Sequence, residues 1–399
     1  MTRPVPEDRT EGAALQAVVF ALVAAAFLTI YVTQPVLPIL RAEFDVSAGT
    51  ASLTVSAVVF GIALANLPFG VLADRFPIVP LVLAGGAVVA AASVACAFTH
   101  GIAFLIGARF VQGLCIPAVT TCVAAYISRV LPPHRLSVVM GGYVSATVAG
   151  GLGGRLLGGF VFPPEHWRYA FLVAAGLLLL AVAAAARWLP PDHPSEHLTE
   201  GAGFLALLHR PDLLRMFAIA FSGFFVFSAM FNYMPFYLSA PPLGASVRMI
   251  TLLYLAYLVG VAAGPASGKL AHRFGTGATL VFGSLLFMAA IAATFVPSLP
   301  VIAGSLAAIC GGFFTLHASA VAALNRRLTS SRGRANSMYV LAYYLGGAAG
   351  ISATGAVYTR WGWHGAAALG IAVLLVPLAV GLVELKERKS GDTIQIFVG

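Results

Sequence analysis

Two arginines lie deep inside long apolar stretches of the sequence, where a charged side chain is costly. Arg109 and Arg155 each stand about seven residues from the end of a stretch that is long enough to cross a bilayer. All 14 acidic residues fall in loops or near the ends of such stretches, so no carboxylate is available at that depth. Two cations facing one cavity favour a substrate with a carboxylate or phosphate group. The alternative is a structural arginine bonded to helix carbonyls.

One histidine also lies well inside an apolar stretch. His317 is the deep side chain that titrates nearest neutral pH, and it is therefore the candidate for carrying a proton through the apolar layer. The alternative is a neutral histidine bonded to a neighbouring backbone group.

Polar and aromatic side chains in the same stretches form a further set of candidate substrate contacts. They are Tyr31, Gln34, Gln112, Asn232, Tyr233, Tyr254, Tyr257, Tyr339 and Tyr343. Tyrosines also gather at membrane interfaces for reasons unrelated to a ligand. The sequence has no HExxH, GxSxG or P-loop motif and no pair of deep acids, and its four cysteines lack metal-ligand spacing. We expect no enzyme activity, no cofactor and no metal site.

The elements that carry these residues are membrane-spanning helices. Hydrophobic residues make up 60% of the 399 residues, charged residues only 9%, and the mean hydropathy is +0.93, which is typical of an all-α membrane protein. Twelve stretches have spanning length. They cover residues 14–38, 49–73, 79–98, 102–127, 136–161, 168–189, 213–238, 247–271, 277–296, 301–324, 335–358 and 364–385.

The basic residues predict the orientation. Seventeen of the 23 Lys and Arg residues fall in segments on the same side as the amino terminus, which places both termini in the cytoplasm by the positive-inside rule. The protein is thus expected in the inner (plasma) membrane, in contact with lipid. Nucleic acid is excluded as a partner because the basic residues form no stripe with interleaved aromatic residues.

The two halves of the chain are related. The segment from Gly70 through Asp74 to Arg75 recurs, with changes, at 268–273, where it ends on Arg273. Residues 1–189 and 213–399 are therefore predicted to form two six-helix bundles joined by a cytoplasmic linker at 190–212. Such a pair carries its solute path between the bundles, so we expect a monomer that moves a small molecule.

Three motifs resemble those of the major facilitator superfamily. They are the Gly70-x-Leu-x-Asp74-Arg75 loop, the Arg109-x-x-Gln112-Gly113 pattern, and the antiporter glycines Gly141, Gly150, Gly154, Gly158 and Gly159. At position 155 this chain has arginine where the antiporter motif has proline.

The resemblance implies the twelve-span fold of that superfamily and specific roles for the motif residues. Gly70, Asp74, Arg75 and Arg273 are expected to act as a conformational latch, in which Gly70 permits close approach and Asp74 caps a helix start. The glycines of the fifth span are expected to form a hinge that packs against the facing bundle. The chain looks most similar to the permeases that export drugs and sugars in exchange for protons, which predicts proton-coupled efflux of small amphiphilic compounds or sugars. The alternative is a symporter or uniporter of a small organic anion.

Overall fold

The computed structural model describes residues 9–162, 164–192, 203–328 and 331–398, and throughout these ranges the regular structure is helical. The first half contains α1 (Arg9–Tyr31), α2 (Leu37–Glu43), α3 (Ala48–Arg75), α4 (Ile78–Ala97), α5 (Ile102–Val119), α6 (Thr121–Val130), α7 (Pro133–Leu156) and α8 (Trp167–Trp188). The second half contains α9 (Phe204–Leu208), α10 (Pro211–Ser239), α11 (Val247–Leu253), α12 (Tyr257–Phe274), α13 (Thr276–Ala293), α14 (Leu299–Arg326), α15 (Arg332–Val373) and α16 (Leu375–Val398). Most of the predicted linker, at 193–202, lies outside the described residues.

Eleven segments of the described chain are long and apolar enough to cross a membrane. The last of them, Arg332–Glu387, has 56 residues, whereas about 20 suffice for one crossing. It contains Gly362 at φ +60°, a backbone conformation that favours glycine, and two helices meet there. Gly350 before this point packs against Phe225 of α10, and Gly370 after it packs against Val226. Two positions 20 residues apart therefore lie at one level of α10, so the chain reverses direction at Gly362.

The spans within a half pack closely through glycines. A Cβ added at Gly150, Gly154 or Gly158 would lie less than 3.0 Å from the backbone oxygens of Ala24, Leu28 and Val32, respectively. All three oxygens belong to the first span, so this glycine face packs within its own half. The expected packing of the whole motif against the facing bundle is wrong. The spacing of four residues explains the result, since it keeps the three glycines on one face of the fifth span and that face meets the first span.

The two halves contact each other towards the end of the bundle that is remote from the termini, which we call the distal end. The opposite end, where α1 begins and α16 ends, is the terminus end. Ser56 of α3 donates to the carbonyl of Ala348 at 3.1 Å and lies 2.9 Å from the hydroxyl of Ser352. Nearer the distal end, a Cβ added at Gly49 would lie 3.5 Å from the backbone of Gly355. Small residues thus let α3 and α15 approach closely.

Candidate functional site

The guanidinium of Arg155 is the centre of a polar cluster at the junction of the two halves. Its Nε donates to Oε1 of Gln34 at 2.7 Å, and its Nη1 donates to the carbonyl of Gly151 at 2.8 Å. Its Nη2 donates to the hydroxyl of Tyr257 in the second half, also at 2.8 Å. The residue is 1% exposed, and no carboxylate within the described ranges forms an ion pair with it.

Three tyrosine rings surround the same guanidinium. Its central carbon lies 3.9 Å from the ring centre of Tyr31, 4.1 Å from that of Tyr257 and 5.2 Å from that of Tyr254. Aromatic faces attract a cation at these distances, and the attraction grows when water is excluded. The rings therefore replace part of the solvation that Arg155 loses on burial.

A run of aromatic rings in contact with one another connects this cluster to His317. Phe227 lies 5.3 Å from Tyr257 and stacks on Phe313 at 3.9 Å, measured between ring centres. Phe313 in turn stacks on His317 at 5.9 Å. The surface between Arg155 and His317 is thus aromatic on the side of the second half.

His317 is held by two of the predicted tyrosines. Its Nδ1 lies 3.1 Å from the hydroxyl of Tyr339, and the ring of Tyr343 lies 5.2 Å from the imidazole. Tyr343 also stacks on Phe224 at 3.7 Å. His317 is half-buried, and its Nδ1 faces the hydroxyl of Tyr339.

Arg109 lies in a different environment, although the sequence places it at the same depth as Arg155. It is 0% exposed, and its Nε donates to the carbonyl of Thr54 at 2.9 Å. Its two Nη atoms donate to the carbonyls of Thr29 and Ile30 and to the side chain of Gln112. Gln112 continues the network by donating to Ser93 at 2.6 Å. Every bond described for Arg109 stays within the first half, so the two arginines do not share one cluster.

The remaining predicted contacts on α10 are buried near the distal end. Tyr233 donates to the carbonyl of Ile351 at 2.9 Å. Asn232 is 0% exposed, and both its side-chain oxygen and nitrogen lack a hydrogen-bond partner among the described residues. A buried amide without a partner is costly, so a water or a ligand is the natural way to satisfy it.

The predicted latch residues lie at the terminus end. A Cβ added at Gly70 would meet no atom within 4 Å, so the expected close approach is absent in this conformation. The Asp74 side chain is 66% exposed and lies 3.5 Å from Arg129. Arg75 and Arg273 are both exposed. The expectation that Asp74 caps a helix start is not met at α4, because the first amide of that helix donates to a different carboxylate.

Another carboxylate caps α4 instead. Asp192, which follows α8, accepts from the amide of Ile78 at 2.8 Å and from Arg129 at 3.3 Å. In the second half Glu384 forms an ion pair with Arg327, which directly follows α14. These acids were missed because the sequence shows only that they lie near span ends.

The glycines of the fifth span differ in what they contact. Gly141 would meet no atom within 4 Å, whereas a Cβ at Gly159 would come within 3.0 Å of Thr251 and of Pro35. Gly159 therefore contacts the second half, as expected for this position of the motif. Phe227 of the aromatic run was not predicted, although the density of phenylalanine between 217 and 236 is a signal that could have found it.

Comparison with known proteins gives one consistent match. The sequence-family model of the Major Facilitator Superfamily matches residues 19–325 and 241–396 of this chain. The inner membrane transport protein YnfM of Escherichia coli (strain K12) is 29% identical over 366 residues, which is 90% of this chain and 87% of that protein. The uncharacterized MFS-type transporter YybF of Bacillus subtilis (strain 168) is 27% identical over 375 residues, 90% and 91% of the two chains.

A solved structure has the same fold. It is the inward-facing, unoccupied conformation of a bacterial homolog to the human lysosomal transporter Spinster, with a TM-score of 0.75 and 15% identity. The match covers 95% of this chain and 98% of that one.

Proposed function

Since the chain belongs to the Major Facilitator Superfamily of membrane transporters, we propose that it exports small amphiphilic compounds or sugars in exchange for protons. The chain reversal at Gly362 divides the last apolar segment, which supports twelve crossings. An even number of crossings and the distribution of basic residues support two cytoplasmic termini. The similarity to YnfM, an inner membrane transport protein, supports the inner membrane as the location.

The junction at Arg155 is the observation that carries the proposal. Alternating access needs a site near the middle of the membrane to which both halves contribute and around which they can rock. Gln34 and Arg155 come from the first half, Tyr257 comes from the second, and the contacts of Ser56 close the path on the distal side. Tyrosine rings with a few polar atoms suit a small amphiphilic ligand, because they offer apolar area and hydrogen bonds together.

His317 is the proposed proton carrier. The experiment is transport into proteoliposomes with an imposed pH gradient, using labelled tetraphenylphosphonium, arabinose and benzoate as probes. Proton exchange predicts uptake of at least one probe that requires the gradient and stops when it is collapsed. His317→Ala should remove the gradient dependence, and Ser319→Ala, two residues away on α14, is the matched control. Transport of no probe above the level of empty liposomes would refute the export proposal.

Symport or uniport of a small organic anion is the second candidate. It is favoured by Arg155, a buried cation for which the described chain supplies only neutral acceptors. The same vesicles separate the two candidates. Antiport and symport move protons in opposite directions for the same movement of substrate, whereas anion uniport follows the membrane potential and ignores an imposed pH gradient.

A further inference from the structure

The two hydrogen bonds that Arg155 donates from Nε and Nη2 lie along a single edge of the guanidinium. The N–H groups of that edge point in parallel, and they match the two oxygens of a carboxylate. In this structure the edge is filled by Oε1 of Gln34 at 2.7 Å and by the hydroxyl of Tyr257 at 2.8 Å. Two neutral oxygens therefore occupy the positions that a carboxylate would take.

These two oxygens come from different halves of the molecule. Gln34 follows α1, and Tyr257 begins α12. The third acceptor, the carbonyl of Gly151, lies on the same helix as Arg155 and stays with it in any rocking motion. The bond to Tyr257 is thus a direct side-chain link from Arg155 to the second half. Losing it would remove one of the contacts that hold the distal end closed.

A carboxylate would bind this edge more strongly than the present pair of oxygens does. An ionised acceptor adds the attraction of opposite charges to hydrogen bonds that Arg155 now makes with neutral oxygens, and the bidentate geometry adds specificity. The surrounding rings of Tyr31, Tyr254 and Tyr257 offer flat apolar surface for the body of the ligand. No acidic side chain in the described ranges competes for the site, since the ion pairs found there involve other arginines.

We propose that the substrate is a small aromatic carboxylate, and that its two oxygens replace those of Gln34 and Tyr257 on the Arg155 edge. Substrate binding then breaks the Arg155–Tyr257 link and releases the distal end. The inference rests on the proposed transport function and gives it a substrate class. It also makes opening conditional on occupancy, because a ligand shifts a conformational equilibrium only by the difference in its affinity for the two states.

Benzoate and benzamide are the probes, because they share size and ring and differ in the ionised group. Thermal unfolding of the detergent-purified protein reports binding, and spin labels at Ala42→Cys and Ala240→Cys, both exposed at the distal end, report opening. Benzoate should stabilise the protein and lengthen the distance between the labels, and benzamide should do neither. Equal effects of the two probes would overturn the proposal.

Gln34→Glu is the decisive variant, since it places a carboxylate permanently on the Arg155 edge without changing the size of the side chain. The affinity for benzoate should fall at least tenfold, because the internal carboxylate competes for the same N–H groups. A variant that folds and still binds benzoate like the wild type would contradict the proposed geometry.

Tyr257→Phe tests the link between the halves. It removes the competing hydroxyl and keeps the ring, so the affinity for benzoate should rise about tenfold and the label distance should lengthen without any ligand. Tyr237→Phe is the matched control, because its hydroxyl bonds the carbonyl of Thr294 inside the second half. Weaker benzoate binding with an unchanged distance would refute the release step.

Failure of the carboxylate site can be distinguished from failure of the proposed transport function. Wild-type vesicles that move arabinose or tetraphenylphosphonium, while benzoate neither binds nor opens the distal end, would leave the export proposal standing and remove the carboxylate site. Vesicles that move no probe would refute export even if benzoate binds.

Discussion

Replacing Arg109 with glutamine separates a structural arginine from a substrate-binding one. The guanidinium donates four hydrogen bonds, three of them to the carbonyls of Thr29, Ile30 and Thr54 and the fourth to Gln112. All four acceptors belong to the first half. We therefore expect Arg109→Gln to weaken the fold of this half and to leave the affinity for benzoate intact in the molecules that remain folded.

The magnitude follows from the number and kind of these bonds. Neutral hydrogen bonds between helices in a bilayer average about 0.6 kcal/mol, which would give roughly 2 kcal/mol for four. Bonds from a charged donor are worth about 1.5–3 kcal/mol each, and glutamine can replace only part of the set. A buried carbonyl left without a donor costs about 1–3 kcal/mol, so we expect a loss of about 3–5 kcal/mol in the free energy of unfolding.

The assay is reversible unfolding by added SDS in mixed micelles, followed by tryptophan fluorescence. Gly107→Ala is the matched control on α5, because a Cβ there would meet no atom within 4 Å. An Arg109→Gln protein that is as stable as the wild type, yet has lost benzoate binding and kept its response to neutral probes, would refute the structural role. That result would indicate that Arg109 binds the substrate.

Two further predictions concern packing and capping, and both use the same unfolding assay. Gly154→Ala places a Cβ within 3.0 Å of the Leu28 carbonyl and should cost about 1–2 kcal/mol, because overpacking outweighs the gain in helix propensity. Gly153→Ala should be neutral or stabilising, because its Cβ would lie 3.8 Å from the side chain of Leu28, and equal losses in the two variants would contradict the packing of α7 on α1. Asp192→Ala should cost about 1–2 kcal/mol by removing the cap of α4, whereas Asp74→Ala, with a side chain 66% exposed, should change stability by less than about 0.5 kcal/mol. If Asp74→Ala lowered the stability more than Asp192→Ala does, Asp74 and not Asp192 would be the cap of α4.

The sequence predicted the class of fold and the depth of each polar residue. A mean hydropathy of +0.93 with few charges requires helices in a bilayer, and the predicted helical membrane protein is confirmed together with its superfamily. The roles of His317 and of the latch residues, the direction of transport and the domain boundaries stay predictions.

The partners of the two deep arginines could not be predicted. Arg155 bonds residues 121 and 102 positions away, and Arg109 bonds residues 55 to 80 positions away. Many of these spans are apolar on every side, so the sequence gives no sign of which face of a span meets which neighbour. The same uncertainty produced the wrong packing direction for the glycines at 150, 154 and 158.

The sequence alone thus determined that this chain lies in a membrane, that two arginines lie deep within its apolar segments and that small residues permit close helix packing. Only the tertiary structure decided that Arg109 is bonded within the first half while Arg155 bridges the two halves. The physical reason is that hydropathy records how far a residue lies from water along the membrane normal. The direction in which its side chain points is fixed by the packing of helices that are distant in the chain.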